Sequence, residues 1–220
     1  AAVAASAGLR SEDLLGMGVG APGPLDPATG VVFEPPNLVG WRDVPLSALL
    51  QEATGIRTFV ENDANAAALG EAWVGAGAGV RDLIYITVST GIGGGLVLNG
   101  GLYHGVSGTA GEIGHMTVAP AGPVCTCGRR GHLEAVASGQ AIARMAADAV
   151  RAGRPTRLSA LGPPEGLSAE AVARAAAEGE QLAGEIFARA GAYIGIAVAS
   201  LVNVLNPAMV IFGGGVSKAG

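Results

Sequence analysis

LIYITVSTGIGGGLVL, residues 83–98, is the stretch on which the reading of the fold turns. Residues 83–88 are β-branched and aromatic and predict a strand, and residues 96–98 predict a second strand lying beside it once the chain has turned back. The glycines between them predict a tight turn. Small residues at such a turn leave two readings open. One is a glycine-rich hairpin; the other is a cradle for an anion, in which glycine lets backbone N–H groups approach a phosphate while Ser89 and Thr90 add hydroxyl donors.

Working outward, strands are expected at 14–20, 31–33 and 58–60, and helices at 1–9, 44–53 and 65–74. Downstream, helices are expected at 140–152, 168–177 and 180–205, then a buried strand at 208–212. The loop Gly213-Gly214-Gly215 that follows should open a helix near Ser217, a position suited to a nucleotide contact. Strands alternating with helices predict an α/β fold with layered helices. Residues 151–166, rich in Pro, Gly and Arg, predict an exposed connector.

Composition narrows the function classes. With 220 residues, 50% of them hydrophobic, the chain is long enough for a real core. A net charge of −5, with only 13 Lys and Arg scattered along the chain, supplies no basic stripe for a phosphodiester backbone, which argues against nucleic-acid binding through this segment. A membrane span needs about twenty uninterrupted apolar residues. Residues 182–204 come nearest, and Glu185, Arg189, Ser200 and Asn203 break them. No basic, apolar leader opens the sequence, so a cytoplasmic protein without a membrane anchor is expected.

Glu61-Asn62-Asp63-Ala64-Asn65 packs two carboxylates and two amides between a strand and a helix. An N-cap accounts for one of them at most. The chemical alternative has Asp63 accept the proton of a hydroxyl attacking a phosphoryl group while Asn62 orients the same substrate. Glu112, His115 and Glu134 are groups able to hold vicinal hydroxyls by paired hydrogen bonds. Pro35-Pro36 fixes an extended loop before Asn37, which reads as a turn asparagine unless other residues give it a partner. Cys125 and Cys127 stand too close for an ordinary disulfide. Together with His115 and His132 they form a Cys₂His₂ set in a Gly- and Pro-rich segment, where tetrahedral zinc would act as a staple. One nitrogen of His115 could then bind metal and the other a hydroxyl. His104 shows no partner and is expected at the surface.

In this order, Glu61-Asn62-Asp63, Thr90-Gly91-Ile92-Gly93-Gly94-Gly95, Gly111-Glu112-Ile113-Gly114-His115 and Cys125-Thr126-Cys127-Gly128-Arg129-Arg130-Gly131-His132-Leu133-Glu134 resemble the ROK family of sugar kinases and repressors, over residues 16–216. The resemblance implies an actin-like ATPase (ribonuclease H-like) fold of two α/β lobes, here 1–75 and 76–220, with the zinc segment at 115–132. It implies ATP-dependent phosphorylation of a hexose, the 6-hydroxyl of glucose as first choice, with Asp63 as catalytic base. Asn37, Asn62, Asp63, Glu112, His115 and Glu134 would surround the sugar. Thr90, Gly91, Gly93 and Gly94 would face the phosphates of Mg·ATP, and Gly213, Gly214 and Gly215 the nucleoside. A homodimer is implied as well. Two departures stand out: His132 replaces the family's third zinc cysteine, and the family's first phosphate motif, an Asp followed by a Gly-Gly-Thr turn, has no match. The N-terminal lobe is therefore expected to be incomplete and the C-terminal lobe to stop short. The competing expectations are a sugar-responsive repressor module without kinase activity and a zinc-stabilised sugar-binding domain.

Overall fold

A computed structural model describes residues 2–35 and 38–219. Asn37, expected at the sugar site, lies outside the described residues. The elements run α1 (Ala2–Ser6), β1 (Met17–Ala21), β2 (Leu25–Asp26), β3 (Val31–Val32), β4 (Val44–Pro45), α2 (Leu46–Thr54), β5 (Thr58–Asn62), α3 (Asp63–Val74), β6 (Leu83–Val88), β7 (Ile92–Leu98), β8 (Gly101–Leu102), α4 (Leu133–Ala137), α5 (Gly139–Arg151), α6 (Ala169–Ala177), α7 (Gln181–Leu205) and β9 (Met209–Gly213).

Three sheets result among the described residues. In the first, β1 lies parallel to β5; in the second, β2, β3 and β4 form a small antiparallel meander. The third has the order β8-β7-β6-β9, with β9 parallel to β6 and the other pairs antiparallel. Strand β6 is buried on both faces, as its near-continuous apolar run requires. Ile84, Ile86 and Val88 enter the main core with helices α4 to α7, while Leu83 and Tyr85 cluster with Ala68 of α3 and Val97 of β7. Complete burial of side chains such as Ile84 and Ile86 contributes about 1.5–3 kcal/mol each. A smaller cluster of Ala21, Leu25, Val32 and Val60 joins the first two sheets.

Of the four glycines in the opening stretch, only Gly91 lies in the turn. Ser89, Thr90 and Gly91 turn the chain, and Gly93, Gly94 and Gly95 are residues of β7, paired with Thr87, Ile86 and Tyr85. Packing explains them. A Cβ on Gly95 would lie 2.6 Å from the Ala68 Cβ and 2.9 Å from the Ala64 carbonyl oxygen of α3, and one on Gly94 would lie 2.4 Å from Ile113 Cδ1 on the other face. Their absence lets α3 and the 113–115 turn close on the sheet.

Helix α3 begins two residues earlier than the sequence indicates, because Asn62 is its N-cap. The Asn62 side-chain oxygen accepts from the N–H groups of Ala64 (3.0 Å) and Asn65 (3.2 Å). Pro45 closes a strand before α2, and a single 3-10 turn at Val216–Ala219 replaces the helix expected at Ser217. Helix α7 is long and apolar enough, by length and composition, to cross a membrane. It packs on α4, α5 and α6 through Leu182, Ala183, Ile186, Ala190 and Ala197, with Ile196, Val202 and Val204 on its exposed face.

Candidate active site

Helix α3 contacts both β1 and the β6–β7 hairpin, so its N-terminus opens where the first and third sheets meet. Asp63, the first residue of that helix, is exposed there, beside Gly20 of β1. With its oxygen committed to the cap, Asn62 keeps its amide nitrogen for the cleft, where a Cβ on Gly23 would come within 3.2 Å of it. Asn62 caps the helix, and Asp63 accepts the Ala64 N–H on Oδ1 at 2.9 Å, a bond to its own neighbour that leaves Oδ2 without a partner among the described residues.

The cleft is a cavity of about 440 Å³. Asn62, Asp63, Glu112, His115 and Glu134 line it, together with Thr90, Gly91, Gly93 and Gly94. Those nine expected site residues are thus brought together. A second, larger cavity of about 790 Å³ lies behind the turn, lined by Gln140, Ala143, Glu170, Arg174, Phe187, Gly215 and Lys218 among others. Ser89 and Thr90 line both cavities, so the turn is the partition between them. Of the second glycine cluster, Gly215 faces the larger cavity. Gly213 packs under Tyr85, and Gly214, at φ +90°, makes the close approach to the Val88 carbonyl with which the chain leaves β9.

The turn is held from several sides. Gly139 N–H donates to the Ser89 carbonyl (2.8 Å) and Gln140 N–H to that of Thr90 (3.2 Å), while Ser89 N–H donates to the Gly91 carbonyl (2.9 Å). Ile92 N–H donates to Glu134 Oε2 at 3.0 Å. Glu134 thus connects the smaller cavity to the backbone of the partition.

The expected metal ligands also converge. The donor atoms of His115, Cys125, Cys127 and His132 all lie within 4.8 Å of one another. His115 Nδ1 is 3.2 Å from His132 Nδ1, Cys127 Sγ is 3.3 Å from His132 Nδ1, and Cys125 Sγ is 3.9 Å from His115 Nδ1. Tetrahedral zinc, at about 2.0–2.1 Å from nitrogen and 2.3 Å from sulfur, requires edges of about 3.3–3.8 Å between its donors. The set fits such a cation. Burial, with His115 and Arg129 nearby, holds His132 below its usual range, which keeps the ring neutral and its lone pair available. Burial pushes the Cys125 thiol up. With Nδ1 of His115 directed at this cluster, its Nε2 lies 3.8 Å from Glu112 Oε2, on the cavity side.

Some parts of the site were not singled out from the sequence. Pro22, Gly23 and Pro24 form one wall, and Gly108, Thr109 and Ala110 another. His104 is not a lone surface residue: its Nε2 lies 2.8 Å from Glu61 Oε2, a partner 43 positions away that no local pattern announces. Asn65, also part of the lining, is buried.

Comparison with known proteins gives a match to the family model described as "ROK family" over residues 3–220. The chain is 47% identical to a glucokinase of Halalkalibacterium halodurans over 210 residues, 94% of this chain and 63% of that protein. It is 43% identical to a glucokinase of Thermotoga maritima over 205 residues, 93% of this chain and 65% of that protein. It is 37% identical to a xylose repressor of Caldicellulosiruptor bescii over 200 residues, 91% of this chain and 50% of that protein. Among solved structures, a ROK hexokinase from Thermus thermophilus superposes with a TM-score of 0.79 at 41% identity, covering 98% of this chain and 66% of that one. A ROK family glucokinase from Streptomyces griseus, in complex with glucose and AMPPNP, gives a TM-score of 0.83 at 35% identity, covering 100% of this chain and 72% of that one. The chain spans less than two thirds of the length of the two glucokinase sequences. The fold is accordingly the expected α/β, actin-like ATPase type.

Proposed function

The chain belongs to the ROK family, and on that premise we propose that it forms the sugar-binding and base-bearing part of an ATP-dependent hexose kinase. One observation carries the reading. Asp63 opens into a cavity that holds Asn62, Glu112, His115 and Glu134 on one side and ends, on the other, at the Ser89–Gly91 partition shared with a larger cavity.

In this reading the smaller cavity takes the hexose and the larger one the nucleotide, each within the range of about 300–1,000 Å³ usual for ligand sites. Asn62, Glu112, His115 and Glu134 hold the sugar hydroxyls. Asp63 accepts the proton of the attacking hydroxyl as its oxygen bonds to the terminal phosphorus and the bond to the ADP oxygen breaks. Thr90, Gly91, Gly93 and Gly94 stand where the phosphates pass, and Gly215, with Gly213 and Gly214 behind it, borders the nucleoside. Mg²⁺, arriving with ATP, neutralises charge on the transferring group. Glucose, reacting at its 6-hydroxyl, is the proposed substrate, in keeping with the likeness to two glucokinases. Zinc is the proposed cation of the Cys₂His₂ set. The proposal includes two lobes, residues 1–75 and 76–220, with α3 of the first packed on β6 and β7 of the second, and a cytoplasmic homodimer.

The likeness to a xylose repressor favours a second reading, a sugar-responsive regulatory module. A coupled ADP-release assay on the full-length protein, with Mg·ATP and a hexose panel, separates the two. The kinase reading expects hexose-dependent turnover that falls by about 10²–10⁴-fold in Asp63→Asn, the usual contribution of a general base. Hexose binding without turnover would replace it by the regulatory reading.

A further inference from the structure

We propose that His104 is a positioning residue for the hexose. Its imidazole ties the loop at 105–110 to the strand end that carries Asn62 and Asp63, and so fixes the two walls of the smaller cavity relative to each other. The inference rests on the reading of that cavity as the sugar site.

Both oxygens of the Glu61 carboxylate are engaged. Oε1 accepts from the backbone N–H of Asn62 (2.8 Å) and from Asn65 Nδ2 (3.1 Å). Oε2 faces His104 Nε2 at 2.8 Å. An ionised carboxylate only accepts, so the proton of this bond resides on Nε2. The donors come from opposite sides of the cleft: Asn62 and Asn65 adjoin Asp63 at the start of α3, and His104 follows β8 of the other sheet. The two side chains are only 32% and 23% exposed, which shields the bond from competing water.

From His104 the constraint passes into the loop. The His104 carbonyl accepts Ala110 N–H at 3.0 Å, closing the loop on itself, and the Ser107 and Thr109 hydroxyls bond each other at 2.9 Å within it. Gly105 and Gly108 take positive φ, and a Cβ on Gly108 would lie 3.3 Å from the Leu25 carbonyl oxygen, so the loop reaches across to β2. Gly108, Thr109, Ala110, Gly111 and Glu112 then line the cavity in succession, with His115 just beyond. Removing the imidazole releases the root of this wall and leaves Glu61 one donor short beside Asn62. The turn that partitions the two cavities is held by other bonds, from Gly139, Gln140 and Glu134, which the substitution leaves in place.

The test compares His104→Ala and His104→Gln with the unaltered full-length protein by hexose KM, ATP KM, kcat and thermal melting, and by calorimetric hexose affinity. Loss of a hydrogen bond to a charged group predicts a hexose KM raised about ten-fold or more in His104→Ala, with ATP KM within about two-fold. His104→Gln, which keeps an N–H donor, is expected to recover most of the loss. Adding Glu61→Gln to His104→Ala is expected to cost little more, since both remove the same contact. Hexose and ATP constants moving together, failure of His104→Gln to rescue a well-folded protein, or fully additive effects would each overturn the proposal. If the unaltered protein binds hexose but releases no ADP, the kinase reading fails while the calorimetric comparison still decides the role of His104.

Discussion

Replacing Gly91 by alanine tests the link between the two cavities. The backbone at Gly91 is not left-handed, so alanine meets no conformational barrier there. Its Cβ would lie 2.4 Å from Glu134 Oε2 and 3.3 Å from Glu134 Cδ, some 0.6 Å inside the 3.0 Å that real Cβ atoms keep. The obstacle is the far end of a flexible side chain, so the carboxylate should swing away and the fold survive. What is lost is the 3.0 Å bond from Ile92 N–H, and Ile92 is buried. A hydrogen bond to a charged group is worth about 1.5–3 kcal/mol, which at 1.36 kcal/mol per decade is roughly ten- to a hundred-fold in kcat/KM. The orphaned N–H should also lower Tm by about 2–8 °C. Because Glu134 serves the proposed hexose site while Ile92 follows the phosphate turn, both substrates' KM should rise. Steady-state kinetics with each substrate varied, beside a Gly101→Ala control whose new methyl meets nothing within 4 Å, supplies the measurement. Unchanged hexose kinetics, or a loss confined to ATP, would refute the reasoning.

Two further outcomes follow from other parts of the molecule. Elemental analysis should find about one zinc per chain, and Cys125→Ser should lose it, whereas His132→Cys should retain it because a thiolate at that position still completes four ligands. Glu180→Ala should lower stability by about 0.5–2 kcal/mol, since the Glu180 carboxylate caps α7 by accepting Ala183 N–H and also receives the Thr156 hydroxyl. Burial alone would raise Glu180, but the Ala183 N–H, the Thr156 hydroxyl and Arg157 outweigh it and hold the carboxyl below its usual range. A lowered native value stabilises the folded state above the unfolded value of about 4.3 and is lost as pH falls below it. The Tm gap between the unaltered protein and Glu180→Ala should therefore be constant near neutrality and shrink below about pH 4.

Local chemistry made most of the elements legible. The β-branched run at Leu83–Val88, the Ala-rich helix α3 and the long helix α7 were all expected within a residue or two of where they lie. Asn65 was taken as the helix start because capping by Asn62 depends on φ and ψ at one residue, which residue type alone does not fix. The glycines of β7 resemble a turn in sequence because the reason for them, close approach of Ala64, Ala68 and Ile113, lies in residues distant along the chain. The same distance hid His104, whose partner Glu61 belongs to another sheet. The convergence of the Cys₂His₂ set was legible because three of its four residues fall within eight positions, Cys125 to His132.

The place of the Cys₂His₂ set in the fold gives a reason for the proposed zinc to adjoin the proposed phosphoryl-transfer cleft. His132 immediately precedes α4, and Glu134 is the second residue of that helix, with its Oε1 3.8 Å from Cys125 Sγ and its Oε2 on Ile92 N–H. Helix α5 follows after Ser138, whose hydroxyl caps it by accepting Ala141 N–H, and its first two N–H groups hold the carbonyls of Ser89 and Thr90. A metal fixing His132 therefore orients α4, and α4 and α5 together anchor the partition from two directions. Apolar packing in residues 115–132 is thin: Cys125, Gly131 and His132 are its buried residues, and Met116, Val118 and Ala119 are only partly buried against the main core. The proposed cation would supply rigidity at a point from which both the carboxylate and the turn are positioned. Its removal should therefore weaken both sides of the proposed reaction together, whereas a defect at His104 should weaken the hexose side alone.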